Sequence, residues 1–367
     1  MRIDRLQIQR VRNLLEIDVR PGVGVNFFHG SNGAGKTALL ESVHVLARGR
    51  SFRGTNASEL MTRGEKDLLV RAELCDEQRG RVKVAMSRQR SGSVDLRING
   101  LAEKRLSRAA ELMPLQLMLP SLSDLVFGAP AVRRQWLDWG MFHVEPGYLA
   151  TLRRYLRALR QRNAALKAVA ADTLGLPGAH AWTDELAQAG EAVSEMRDAY
   201  LQQLGQPLND VLSRLTPDLR ISLGYQRGWP ENQPLIKVLG ESASREVKLG
   251  STQFGPHRAE VQLRHEGSRA GVTLSRGQGK ILASALMLAQ AVLLKLRQNR
   301  SSVFLIDDLG AELDAAHARR LFQELVTLNS QVLATSTEAP GDLRGLADLP
   351  MTRFHVEHGQ IRAEPPQ

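Results

Sequence analysis

Residues 27–49 read "FFHGSNGAGKTALLESVHVLARG": an apolar end, a run of small residues, a lysine, then a helical pattern. Gly30-Ser31-Asn32-Gly33-Ala34-Gly35-Lys36-Thr37 has the spacing of a phosphate-binding loop, G-x-x-x-x-G-K-[ST]. Glycines let successive backbone N–H groups converge on one anion, because no Cβ blocks the approach. Lys36 is then placed to reach the β- and γ-phosphates, and the Thr37 hydroxyl to ligate Mg²⁺. A turn that merely contains glycines would not need these flanks. Val25-Asn26-Phe27-Phe28 is a short apolar run, and Leu39, Leu40, Val43, Leu46 and Ala47 recur at helical spacing after Thr37. The loop implies a nucleoside triphosphate and leaves open the work done with it.

The chain has 367 residues, 43% of them hydrophobic, so it can bury a sizeable core in two or three domains. A formal charge of +10 argues for a polyanionic partner, nucleic acid first. Cys75 is the only cysteine, which excludes intrachain disulfides and thiolate-rich metal sites and suits a reducing compartment. Residues Met1-Arg2-Ile3-Asp4-Arg5 lack the apolar run of a signal peptide, and Ile281–Leu294 is too short to span a bilayer. A cytoplasmic protein with no membrane partner is the expectation.

Arg2 to Gln9 alternates apolar and polar residues and reads as an edge-like strand. Leu68–Leu74, Val82–Met86 and Val94–Ile98 suggest an antiparallel sheet beside the nucleotide core. From Tyr148 the pattern turns helical. Leu149, Leu152, Leu156, Leu159 and Leu166 form an apolar stripe, and Arg153, Arg157, Arg160 and Lys167 a basic one. No acidic residue lies between Glu145 and Asp172, so these four cations are candidates for DNA phosphate contact. A second helical pattern through Leu186, Val193, Met196, Tyr200 and Leu204 follows the loop "DTLGLPGAH", which predicts an antiparallel helical arm. Arg50 and Arg53 are further DNA candidates. Trp136, Trp139 and Trp229 read as core rather than as base-stacking platforms. Only the tail "RAEPPQ" looks unstructured.

"SSVFLIDD" at Ser301–Asp308 is an apolar strand ending in paired carboxylates. Ligands of parallel α/β sheets sit beyond the carboxyl ends of strands, so Asp307 is expected to hold Mg²⁺ and Asp308 to orient the attacking water. "ELD" at Glu312–Asp314 has the spacing of a D-loop. "LSRGQGK" at Leu274–Lys280 opens a helix that Ser275 can cap, and a helix N-terminus favours anions. Phosphate loop, L-S-x-G-Q signature and acidic strand, in this order, exclude simple kinases and GTPases. Such a signature works in trans, so Ser275, Gly277 and Gln278 of one subunit are expected at the other's nucleotide in an ATP-dependent homodimer. Gly279 looks small enough to favour the partner's approach.

With these motifs the chain resembles the RecF family of SMC-like ABC ATPases. The resemblance extends to "RNL" at Arg12–Leu14, "GRSFR" at Gly49–Arg53, "LMPLQL" at Leu112–Leu117 and "FGAPAVRRQWLDWGMFHVEP" at Phe127–Pro146. It continues through "QRNAALK" at Gln161–Lys167, "YQRGW" at Tyr225–Trp229 and "FGPHRAE" at Phe254–Glu260. It implies an α/β fold: an ABC/SMC-type P-loop ATPase head with an inserted helical arm domain. The expected division is head at 1–118, arm at 119–215 and head again at 216–367. It also implies ATP and Mg²⁺ as cofactors, binding to single-stranded or gapped DNA, and action with RecR and RecO in loading RecA during repair and SOS induction. By the same resemblance Gln116 is the Q-loop glutamine joining γ-phosphate to Mg²⁺, and Arg12 and Asn13 touch the nucleotide. Asp308 stands where transporters carry Glu, and Thr335 and Ser336 where they carry the switch histidine; both departures imply slow hydrolysis. A transporter's nucleotide-binding subunit and an SMC-like structural ATPase are the alternatives. The basic balance argues against the first, and the short helical pair against the second.

Overall fold

The computed structural model describes residues 1–54, 57–76, 78–171, 181–308, 315–338 and 350–365. The D-loop residues and the loop "DTLGLPGAH" lie outside the described residues. The chain divides into two compact units. The first comprises Met1–Ser123, Arg214–Thr216 and Lys280–Gln367, and the second Asp124–Ser213 and Pro217–Gly279. Residues 217–279, expected in the head, therefore cluster with the helical segment. The sequence offered no composition break at Gly279, because one helix, Arg276–Gln298, runs through that boundary.

The first unit holds two six-stranded sheets. One has the order β2 (Leu14–Val19), β1 (Arg2–Val11), β4 (Asp67–Asp76), β5 (Gly80–Gln89), β6 (Val94–Ile98) and β7 (Leu101–Glu103), antiparallel throughout. The expected meander is there, but β1 is no edge: β2 flanks it on one side and β4 on the other. Its alternation reports burial of one face only. Ile3, Leu6 and Ile8 are fully buried, while Arg5 on the opposite face pairs with Asp18. The second sheet has the order β15 (Gln360–Ala363), β14 (Met351–Glu357), β3 (Val25–His29), β13 (Gln331–Ser336), β12 (Val303–Ile306) and β8 (Leu115–Met118). All its pairings are parallel except β14 with β15. The tail is thus less irregular than its composition implied, since Arg362 and Ala363 extend β15.

Helix Lys36–Arg48 leaves the end of β3 and touches β1, β4 and β5 of one sheet and β13 of the other. Its Leu39, Leu40, Val43, Val45 and Leu46 are fully buried in the core formed with Leu68, Val70, Leu333 and Phe354. Burying each such side chain is worth about 1.5–3 kcal/mol, which fixes the N-terminus of this helix in the plane of the strand ends. Gly49, left-handed at φ 71°, ends it by donating to Val45 O. Helix Arg276–Gln298 is long and apolar enough to cross a membrane, but most of its apolar stretch is buried inside the protein.

In the second unit, helices Tyr148–Ala170 and Thr183–Leu215 are antiparallel. Arg162 meets Thr183, Arg154 meets Glu185, and Tyr148 meets Arg197. Helices Pro130–Val144 and Leu235–Leu249 and a sheet of β9 (Ser222–Gln226), β10 (Glu260–His265) and β11 (Ser268–Arg269) complete the unit. The buried face of Tyr148–Ala170 is Tyr148, Tyr155, Ala158, Arg162 and Leu166; the expected leucine stripe is only partly covered, with Leu156 exposed. Arg162, outside the basic stripe, is the charged residue on that buried face. It is 1% exposed, bonded to Thr252 Oγ1 at 2.8 Å and ion-paired with the fully buried Glu246 at 2.7 Å. Trp136, Trp139 and Trp229 are buried, as core residues should be.

Candidate nucleotide site

The phosphate loop joins β3 to helix Lys36–Arg48, and glycine is required at its ends. Gly30 has φ 152°, and a Cβ there would stand 2.0 Å from the carbonyl oxygen of Val356 on β14. Gly35 has φ 121°, and its Cβ would press within 2.8 Å of Leu14. The loop is braced from outside: Asn13 Nδ2 donates to Gly33 O at 3.0 Å, and Gly359 N to Ala34 O at 2.9 Å. Lys36 Nζ folds back under it, donating to Gly30 O at 2.7 Å and Ser31 O at 2.8 Å. The side chain is buried. Burial pulls the ammonium below its ordinary pKa, and the charges of Asp308 and Asp307 oppose that pull.

The carboxyl end of β12 brings the acidic pair to the same place. Asp307 Oδ1 accepts from Thr37 Oγ1 at 3.1 Å and from Thr335 Oγ1 at 2.7 Å. The Thr335 hydroxyl in turn accepts from Asp308 N at 3.0 Å. Asp308 has φ 53°, a left-handed turn that Asp adopts more readily than most residues. Thr335, noted in sequence only as standing where transporters have histidine, thus links the Asp307 carboxylate and the Asp308 backbone to β13. The result is three oxygens, from Thr37, Asp307 and Thr335, gathered beside a lysine: a hard donor set suited to Mg²⁺.

The other expected nucleotide contacts are placed differently. Arg12, also at positive φ (54°), donates bidentately from Nε and Nη2 to Glu41, both at 2.9 Å. Glu41 is fully buried on the phosphate-loop helix and also accepts from Ser51. The hydrogen bonds to Glu41 raise the Arg12 pKa above its ordinary value. Arg12 therefore braces the helix, and Asn13 the loop. Glu41 went unnoticed in sequence, since nothing there marks a buried carboxylate. Gln116 is not part of the gathering. It pairs in register with Phe304, two residues short of the end of β12, and its Nε2 donates to Met287 O at 2.9 Å inside the core. The side chain points where the strand's alternation sends it, and motif matching does not see that phase.

In the second unit, Ser275 and Gln278 cap the signature helix reciprocally. Ser275 N donates to Gln278 Oε1 at 2.9 Å, and Gln278 N to Ser275 Oγ at 3.2 Å. Ser275, Arg276, Gly277 and Gln278 are all exposed. Gly279 is small for a reason internal to the chain: a Cβ would lie 2.2 Å from the Phe127 ring. It is buried and open to no partner. Of the DNA candidates, Arg153, Arg157, Arg160 and Lys167 are exposed on one helix, as are Arg50 and Arg53 in the first unit.

Fold and site together define a P-loop ATPase head of the SMC class. The RecF/RecN/SMC N terminal domain family matches residues 2–342. Curated proteins named DNA replication and repair protein RecF match nearly end to end. That of Pseudomonas entomophila is 38% identical over 98% of both chains, and that of Shewanella piezotolerans 35% over 98% of this chain and 99% of its own. The chain belongs to this family, in its RecF branch. In fold it is similar to a solved structure of the recombination mediator protein RecF-ATP in the RecFOR pathway, with TM-score 0.88 and 24% identity. That match covers 99% of this chain and 97% of the other. An Smc head bound to the C-winged helix domain of ScpA is more distant, at TM-score 0.58 and 13% identity, with coverage of 99% and 97%.

Proposed function

We propose that this chain is an ATP-switched, DNA-binding recombination mediator of DNA replication and repair. ATP closes two copies into a clamp on single-stranded or gapped DNA, where the clamp acts with RecR and RecO to load RecA. One observation carries the reading. A preassembled phosphate and metal cluster in the first unit coexists with a signature segment whose serine, glycine and glutamine all face outward. Such a signature is half of a site, and a second copy supplies the other half.

Lys36 already donates to two loop carbonyls and exchanges them for phosphate oxygens, holding the triphosphate as a point charge. Thr37 and Asp307 would hold Mg²⁺ in place of their mutual hydrogen bond, with Thr335 keeping the Asp307 carboxylate in orientation. Bound Mg²⁺ would neutralise charge on the phosphates. Asp308, turned by its left-handed backbone, orients the water. A carboxylate one methylene shorter than Glu reaches less far, and Thr335 is spent on the aspartates, so hydrolysis is slow and ATP serves as a switch more than as fuel. Ser275 and Gly277 of the partner subunit close over the γ-phosphate, using the N-terminal amides of the signature helix.

Light scattering with ATP, Mg²⁺ and gapped DNA tests this. The unaltered chain should pass from monomer to dimer, and Ser275→Arg should stay monomeric while still binding ATP. A Ser275→Arg chain that dimerises normally would refute the trans arrangement.

A further inference from the structure

We propose a second metal site, for a divalent transition ion of the zinc class, formed by His29, His355 and Glu364. It stands apart from the Mg²⁺ cluster and does not depend on the nucleotide reading. His29 is the last residue of β3, immediately before Gly30 of the phosphate loop. β14 runs parallel to β3 with His355 in register with His29, so both imidazoles rise from the same face of the sheet. Their rings meet edge-on at 5.2 Å and 63°. Glu364 follows β15, its backbone N–H bonded to Arg353 O at 2.9 Å. Its carboxylate reaches across β14 to His29 Nε2 at 2.8 Å. One ligand atom from each of the three lies within 4.8 Å of the other two.

Two imidazoles and one carboxylate are a borderline donor set, suited to Zn²⁺, Co²⁺ or Ni²⁺ and poor for Mg²⁺, which prefers oxygen alone. Tetrahedral ligands at about 2.0–2.1 Å from zinc stand roughly 3.4 Å apart, so the widest pair closes by about 1.4 Å, within reach of side-chain rotation. A hydrogen-bonded pair explains His29 and Glu364 alone; a metal explains why His355 is beside them. The ion would tie β3, β14 and the segment after β15 together directly beneath the phosphate loop. Val356 O and Gly359 N of the same hairpin already touch that loop.

The test is zinc titration of the full-length, tag-free chain by calorimetry, with His355→Gln and Glu364→Gln as variants. Expected are one high-affinity Zn²⁺ per chain and an affinity at least ten-fold weaker in each variant. Millimolar Mg²⁺ should not displace the ion, and X-ray absorption of the unaltered chain should show nitrogen and oxygen neighbours at about 2.0–2.1 Å. Absence of high-affinity binding, binding by both variants as tight as by the unaltered chain, displacement by Mg²⁺, or an ion in a purely oxygen shell each overturns the proposal. Should one variant fail to fold, the other and the absorption spectrum still decide.

Discussion

The phosphate-loop cluster and the signature segment both present backbone amides at a helix N-terminus, yet they are stabilised in opposite ways. In the first, the central side chains already have internal partners: Lys36 on Gly30 and Ser31, Thr37 and Thr335 on Asp307, Asn13 on Gly33. In the second, the side chains of Ser275 and Gln278 cap each other's backbone, and the residues between them face solvent. A site wired this way is held ready by its own chain, and ligand need only replace contacts already aligned. A self-capped, outward segment gains contacts only from another molecule. The two differ in what each loses when a residue is removed.

The largest effect should come from Asp308→Asn. Positioned general-base and water-orienting groups contribute about 10²–10⁴-fold, so turnover should fall by at least about two orders of magnitude. ATP binding and dimerisation should survive, because Asp307 still faces Thr37, and the dimer should persist longer on DNA. Single-turnover kinetics checks this; wild-type turnover would mean the roles of the carboxylates are misassigned. Lys36→Ala should come next. Hydrogen bonds to charged groups contribute about 1.5–3 kcal/mol, so equilibrium dialysis should find ATP held roughly 10- to 100-fold more weakly.

The basic helix face is another outward feature. Replacing Arg153, Arg157 and Arg160 together by Gln should reduce the slope of log affinity against log salt by about two to three units, for any DNA sequence. ATP binding by the same variant should be unaltered. An unchanged slope would leave the face as solvated surface and move attention to Arg50 and Arg53. The smallest effect belongs to Ser275→Ala. Without ATP it removes only a local cap, about 1 kcal/mol, readable as a small fall in the unfolding midpoint. A loss several times larger would mean that the signature is internally braced after all, and the contrast with the phosphate loop would fail.

What the sequence disclosed follows from the physics of each feature. The phosphate loop, the acidic strand end and the Ser275 cap are local: residues within a few positions of each other determine them, and spacing is enough. Gln116 and Gly279 matched motif positions but are governed by distant neighbours, the Met287 carbonyl and the Phe127 ring, which no local pattern contains. The same holds for Arg162, whose burial depends on Glu246 far along the chain. It holds also for the boundary at Gly279, which falls inside a continuous helix. For β1, alternation correctly gave one buried face but could not count hydrogen-bonded neighbours, so an inner strand was read as an edge.

The carbonyl of Val356 that crowds Gly30 also sets a timetable for the newborn chain. β3 is flanked in the sheet by β13 and β14, and the loop after it is braced by residues around Gly359, all encoded about 300 residues or more further along the message. Translation at roughly 5–20 residues per second leaves about 15 to 65 seconds between emergence of the nucleotide loop and of its frame. During that interval an apolar strand has neither of its lateral neighbours, and a ribosome-bound fragment ending before β13 has a phosphate loop without its frame. The phosphate loop therefore acquires its frame only once β13 and β14 have emerged.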